Sequence, residues 1–125
     1  MSGKGHSVTI DSITCKGTSE SGNDEVFIVY QVDAGVPVRH PVSGYQRMAT
    51  KANASDDVVS TWSPALTVDF DHEVLVTLWD QDARTGWNKA DFLINASYRS
   101  DYFASSTDMQ NNNGAHYVIA ATKVS

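Results

Sequence analysis

The apolar residues of ALTVDFDHEVLVTLWDQD, residues 65–82, recur with a period of two, which is the spacing of β-strands. In ALTVDF (65–70), Leu66, Val68 and Phe70 alternate with polar residues and predict a strand with one buried face. EVLVTLW (73–79) is apolar at most positions and predicts a strand that is buried on both faces. The acidic DFDHE (69–73) between them predicts a turn, so this stretch predicts an antiparallel hairpin.

Further runs of β-branched and aromatic residues extend this pattern along the chain. EVFIVYQV (25–32) and HYVIAATKV (116–124) predict strands, and GYQRMAT (44–50) predicts a weaker one. In HSVTIDSITC (6–15) the apolar residues change face near Asp11 and Ser12, which indicates a β-bulge.

Two segments near the C-terminal part complete the predicted elements. DFLINASY (91–98) predicts a strand with Phe92, Ile94, Ala96 and Tyr98 on one face. SDYFASSTDM (100–109) favours at most one or two helical turns. Seven or eight short strands separated by polar turns predict an all-β fold, an antiparallel β-sandwich of about eight strands.

Length and charge narrow the possible functions. A chain of 125 residues predicts a single domain over 1–125, and its one cysteine excludes an internal disulfide. The net charge of −6 argues against nucleic-acid binding, which needs a basic face. No apolar run reaches the roughly 18 to 20 residues of a membrane span, and MSGKGHSVTI lacks a signal region. We therefore expect a soluble protein, in the cytoplasm or at a membrane periphery, without a transmembrane segment.

Acidic residues gather where predicted strands meet loops, in LWDQDARTGWNKADFLI (78–94) and GNDEVF (22–27). Asp80 and Asp82 end one strand, Asp91 begins the next, and Asp24 begins another, with Glu20 nearby. Ca²⁺ takes six to eight oxygen ligands, mostly carboxylates and carbonyls. The pattern predicts a calcium site, whereas Asp is also common in ordinary polar turns.

GNDEVFIVYQV (22–32) and WDQDARTGWNKADFLI (79–94) resemble the two calcium loops of C2 domains, which are calcium-dependent phospholipid-binding β-sandwiches. The resemblance implies Ca²⁺ bound by Asp24, Asp80, Asp82 and Asp91, with Glu20 in reserve. It also implies that Trp87 and Arg84, at the loop tip, contact a membrane or ligand. An indole suits the lipid headgroup boundary because it is an apolar plate with one polar atom.

The chain also departs from the C2 pattern. Thr18 stands where that family carries an earlier Asp, Glu25 follows Asp24 in place of Pro, and the spacer from Asp82 to Asp91 is longer. We therefore expect weak binding, with a dissociation constant on the order of 10⁻⁵ to 10⁻³ M.

Other functions fit the same architecture, because fold alone does not determine function. The first prediction is a calcium-binding module that engages anionic phospholipid or a protein partner. A calcium-dependent carbohydrate-binding or adhesion protein would use Asp82 and Trp87 for a glycan. A calcium-independent structural or interaction module, including an oligomer, is the third. We do not expect an enzyme, because no nucleophile–base motif such as G-x-S-x-G occurs.

Overall fold

The computed structural model describes residues 5–19, 22–82, 89–111 and 114–124, with the backbone alone at 82 and 89–91. Within these residues, ten strands form two five-stranded antiparallel sheets. The sheets enclose one apolar core, so the predicted antiparallel β-sandwich is confirmed. The strands outnumber the predicted eight because several are only two or three residues long. The described residues include no helix with the length and hydropathy of a membrane span.

The first sheet is built around its first strand. Its members are β1 (His6–Gly17), β5 (Thr61–Trp62), β6 (Leu66–Phe70), β9 (Ser106–Gln110) and β10 (His116–Lys123). The order is β5-β1-β10-β9, and β6 pairs with the first half of β1. Between β1 and β10, Ile10 pairs with Ala121 and Ser12 with Ala120, so Asp11 is the extra residue of a bulge. The predicted bulge is therefore confirmed.

The second sheet is built around two apolar central strands. Its members are β2 (Asp24–Val32), β3 (Val38–His40), β4 (Gln46–Met48), β7 (Glu73–Asp82) and β8 (Lys89–Arg99). The order is β3-β2-β7-β8, and β4 pairs with the first residues of β2. Val74, Val76 and Leu78 of β7 are fully buried, whereas the alternate residues of that strand are only half-buried. The prediction that β7 is buried on both faces is thus only partly correct.

A second bulge, in β8, overturns one prediction about side-chain direction. Leu78 pairs with Ile94 but Trp79 pairs with Phe92, so Leu93 is inserted into the ladder. Leu93 and Ile94 are both buried, and Phe92 is 46% exposed on the outer face. Its ring packs edge-on against Trp79 at 5.5 Å between centroids. Placing Phe92 on the same face as Ile94 was wrong because strict alternation ignores the extra residue.

The helical turns favoured for residues 100–109 do not form. Ser106–Gln110 is strand β9, paired with β10 from Ser106 opposite Ala120 to Gln110 opposite His116. Most of its residues are exposed because β9 lies at the edge of the first sheet. An edge strand of this kind needs no apolar alternation, so the pattern that predicts a strand is absent.

The predicted hairpin of residues 65–82 was wrong: β6 pairs with β1 in the first sheet and β7 pairs with β2 and β8 in the second, so the DFDHE turn (69–73) joins the two sheets. Alternation within each strand does not show which strand it pairs with. The turn lies at the end of the sandwich opposite the predicted calcium loops, as expected. The carboxylate of Asp33 accepts hydrogen bonds from the backbone N–H groups of Asp71, His72 and Glu73, at 2.9, 2.7 and 3.0 Å. Asp33 belongs to the turn after β2, where its φ is 49°. The two turns at this end are therefore joined by one acidic side chain rather than merely solvated.

Tyr98, in β8, carries a buried hydroxyl whose effect on stability can be tested. Its side chain is fully buried, and its hydroxyl makes no hydrogen bond of good geometry with a described residue. Burial raises the pKa of Tyr98 to about 12, and the nearby Thr107 offsets part of that rise. We expect Tyr98→Phe to leave the free energy of unfolding at pH 7 unchanged or about 1 kcal/mol higher, because it removes an unsatisfied buried group. Urea denaturation measures this.

The pH dependence provides a second readout for Tyr98. Its pKa is about 10 in the unfolded chain and about 12 in the folded one, so the folded state disfavours the phenolate. The contribution of the neutral phenol to the free energy of unfolding is fully present below pH 10 and declines as the pH rises from 10 through 12. The difference between wild type and Tyr98→Phe should change over that interval. A Phe variant that is less stable at pH 7 would show that the hydroxyl has a partner.

Candidate functional site

Two carboxylates lie buried at one end of the second sheet. Asp24 is the first residue of β2, and Asp80 lies near the end of β7. They are the two buried charged residues in the described part of the chain, each 0% exposed. Val26 pairs with Asp80, so the carboxylates continue the two inward-facing apolar rows of neighbouring strands. The sequence prediction that these residues come together is consistent with this geometry.

Ser19 connects the two carboxylates. Its backbone N–H lies 3.1 and 3.0 Å from the two oxygens of Asp24. Its hydroxyl oxygen lies 2.9 Å from Asp24 Oδ1 and 3.3 Å from Asp80 Oδ2. A serine hydroxyl carries one hydrogen, so it can donate to only one of these carboxylates at a time. The two acidic groups therefore share this hydroxyl, besides the donors that each has to itself.

Tyr117 joins Asp24 to the opposite sheet. The phenol of Tyr117, in β10, donates a hydrogen bond of 2.6 Å to Asp24 Oδ2. Burial, followed by the charge of Asp24, raises the pKa of Tyr117 well above its usual value, so the phenol remains a donor. Burial also raises the pKa of the Cys15 thiol, which contacts Tyr117. Neither side chain adds a negative charge to the site at neutral pH.

The Asp80 carboxylate is held by the neighbouring strand. The backbone N–H of Glu25 donates a 2.7 Å hydrogen bond to Asp80 Oδ1. Buried carboxylates need such donors, because an unpaired buried charge is costly. Two like charges near one hydroxyl still repel each other, and a bound cation would reduce that repulsion. The donor set, carboxylate oxygen, suits a hard cation such as Ca²⁺.

The remaining predicted ligands are placed only by their backbone or not at all. Asp91 pairs with Asp80 in the ladder between β7 and β8, and Asp82 is the last residue of β7. Both backbones thus lie at the same end of the sheet as Asp24. Their side chains are outside the described part, as are Glu20, Arg84 and Trp87. Within the residues that are described, no three His, Cys, Asp or Glu side chains converge.

Sequence reasoning missed two residues of this site, Ser19 and Tyr117. Tyr117 is 93 residues from Asp24 along the chain, so only the folded structure brings the two together. The sequence carries only a weak signal for Tyr117. This tyrosine lies within the apolar alternation of the last strand, and a buried tyrosine needs a polar partner for its hydroxyl. Ser19 belongs to a polar loop in which many residues have similar side chains.

The fold is similar to part of a known enzyme. No family model matches the chain, and no curated protein matches its sequence. Matching solved structures include human GIVD cytosolic phospholipase A2, in complex with a methyl gamma-linolenyl fluorophosphonate inhibitor and terbium chloride. The match has a TM-score of 0.50 and 8% sequence identity, and it covers 94% of this chain. The chain spans only 16% of the phospholipase, so the likeness concerns the fold of one region.

The hydrogen bond from Tyr117 to Asp24 can be tested with a matched pair of variants. We expect Tyr117→Phe to lower the free energy of unfolding by about 1.5 to 3 kcal/mol, because it removes a donor to a buried carboxylate. Tyr98→Phe is the control, since it makes the same change at an equally buried tyrosine without that bond. Urea denaturation in EDTA measures both. A Tyr117→Phe variant as stable as wild type would mean that the hydroxyl of Tyr117 contributes nothing to stability.

Proposed function

We propose that this chain is a C2-like calcium-binding module that engages a membrane surface or a partner through its acidic end. The observation that carries this proposal is the pair of buried carboxylates, Asp24 and Asp80, beside one shared hydroxyl. Such a pair is costly in an ordinary turn but useful where a cation binds. In this proposal the chain acts by binding and not as an enzyme.

The proposed ligands are Asp24 and Asp80, completed by Asp82, Asp91 and Glu20. The first two are described side chains, and the backbones of Asp82 and Asp91 reach the same end of the sheet. Ca²⁺ would supply positive charge to an end that is otherwise acidic. That charge would reverse the local field and allow an anionic surface to approach a protein of net charge −6.

The likeness of fold supports the C2-like part of this proposal. It extends over 94% of the chain, so it includes both sheets and not merely a shared hairpin. The phospholipase was solved in complex with terbium chloride. Tb³⁺ is a hard cation that prefers oxygen ligands, as Ca²⁺ does. At 8% identity the support comes from the backbone arrangement alone, and the acidic residues of this chain carry the chemistry.

Membrane contact is assigned to the loop between β7 and β8. In the proposal, Trp87 inserts its indole at the headgroup boundary and Arg84 contacts anionic headgroups. The loop follows directly from Asp82, so a cation held by the acidic residues would lie close to the lipid surface. Without the cation, the acidic residues repel anionic lipid. Binding would therefore depend on calcium.

Calcium should stabilise the folded protein if the acidic site binds it. At a calcium concentration about one hundred times the dissociation constant, we expect about 2.7 kcal/mol of added stability and a melting temperature several degrees higher. Asp80→Asn should abolish most of this shift. In EDTA the same variant should be as stable as wild type or more so, because it removes one of two repelling charges while keeping an acceptor oxygen. Thermal denaturation with and without calcium measures both effects.

The control variant for this experiment is Asp101→Asn, which removes an exposed carboxylate outside the proposed site. It should retain the full calcium shift. Tb³⁺ provides an independent readout, since a tryptophan close to the bound ion sensitises its luminescence. Trp79 precedes Asp80, so emission should require an intact Asp80 and should decline as calcium displaces the ion. An unchanged melting curve in millimolar calcium would rule out the site.

The lipid step has its own prediction. Wild type should sediment with phosphatidylserine-containing vesicles in calcium but not in EDTA. Trp87→Ala should weaken calcium-dependent binding by at least about tenfold, because the variant lacks an aromatic group to bury in lipid. Tyr102→Ala is the matched control, since it removes an aromatic residue that is 64% exposed near the opposite end. Equal sedimentation in calcium and EDTA would contradict the membrane function while leaving calcium binding intact.

A further inference from the structure

A cavity of about 500 Å³ opens between β1, β5 and the 3₁₀ turn that follows β4. This volume lies within the roughly 300 to 1,000 Å³ range of small-molecule sites. Its lining combines two lysines with four hydroxyl groups: Lys16, Lys51, Thr14, Thr50, Ser60 and Thr61. Among the described residues, no carboxylate belongs to this lining, although acidic residues outnumber basic ones by 15 to 9 in the chain.

The two ammonium groups are available to a ligand. Lys16 and Lys51 are exposed, and neither forms an ion pair or hydrogen bond with the described residues. Arg39 and Arg99, in contrast, are engaged: Arg39 donates to the Gly44 carbonyl at 2.7 Å, and Arg99 pairs with Asp101 at 3.1 Å. The positive charge at the cavity is therefore not already neutralised by the part of the protein that is described.

The hydroxyl groups are held by backbone that is itself fixed. Thr50 precedes the 3₁₀ turn, but its side chain does not cap it. The carbonyl of Ser60 accepts a 2.8 Å hydrogen bond from Cys15 N, which fixes the backbone that carries the Ser60 hydroxyl. Thr14 and Thr61 hydrogen-bond each other across β1 and β5 at 3.2 Å. The cavity thus presents hydroxyl groups on hydrogen-bonded backbone beside two exposed ammonium groups.

We propose that this cavity binds a phosphomonoester group. A phosphate carries about two negative charges near neutral pH and three strong acceptor oxygens, which match two ammonium groups and neighbouring hydroxyl donors. A neutral sugar would gain little from two unpaired lysines, and a divalent cation would be repelled by them. The group is carried either by a soluble phosphomonoester or by a phosphorylated lipid headgroup.

The cavity is linked to the acidic site through Cys15, which lines the cavity and contacts Tyr117, the donor to Asp24. Lys16 precedes by three residues the Ser19 that bonds Asp24, and Thr50 follows by two residues the Met48 whose backbone pairs with Asp24. The negative charges of Asp24 and Asp80 therefore disfavour an anion in the cavity. A cation at those carboxylates would strengthen phosphate binding, and phosphate would strengthen cation binding by the same factor. This coupling rests on the proposed function, whereas the phosphate site does not.

The test uses the full chain in EDTA and the double variant Lys16→Gln, Lys51→Gln. Both side chains are exposed, so the fold should be retained, as circular dichroism would verify. Binding of glycerol 3-phosphate by calorimetry measures the soluble source. Sedimentation with phosphatidylcholine vesicles that contain phosphatidylinositol 4-phosphate measures the lipid source. Lys123→Gln is the matched control, because it removes an exposed lysine at the other end of the same sheet.

We expect the double variant to bind at least one probe about tenfold more weakly than wild type, with Lys123→Gln unchanged. A loss confined to glycerol 3-phosphate identifies a soluble ligand, and a loss that includes the vesicles identifies a headgroup. No binding of either probe by wild type, or equal binding by wild type and the double variant, overturns the proposal. Asp80→Asn separates the two sites, since it should abolish the calcium shift while retaining phosphate binding in EDTA.

Discussion

The sharing of one serine hydroxyl between Asp24 and Asp80 constrains everything around this end of the sandwich. Each carboxylate continues a row of apolar side chains into a place where charge is poorly solvated. Ser19 in the loop, Glu25 in β2 and Tyr117 in the opposite sheet supply the donors that make this burial possible. The loop after β1 and the opposite sheet thus both supply hydrogen-bond donors to the same pair of charges.

The other end of the sandwich shows how an aspartate behaves when it is only structural. Asp33 receives three backbone N–H groups from one neighbouring turn, so a single charge has several dedicated donors. Asp24 and Asp80 are more deeply buried, and they compete for one hydroxyl. The two ends differ in burial and in the spacing of their charges: Asp33 is partly exposed and bonds backbone N–H groups of one turn, whereas Asp24 and Asp80 are fully buried beside the same hydroxyl. In the proposed function, that difference separates a structural turn from a cation site.

Much of the fold follows from local pattern, whereas the site follows only in part. Alternation in residues 66–70 and the slip near Asp11 predict β6 and the bulge in β1, because both depend on immediate neighbours. Local pattern does not predict the inserted Leu93 or the polar edge strand β9, since both depend on the strands with which they pair. Acidic residues at strand ends indicate where Asp24 and Asp80 gather. Tyr117 cannot be inferred, because its partner is distant in sequence and lies in the other sheet.

The hydrogen bond between Tyr117 and Asp24 crosses from one sheet to the other. Most other contacts between the sheets are apolar and tolerate small sliding movements, whereas this bond has a preferred length and direction. The acidic end is therefore one place where a directional bond restricts relative motion of the sheets. Any change in charge at Asp24 would be transmitted to β10, and it would alter the exchange of backbone amide hydrogens in a strand that contributes no acidic residue to the site.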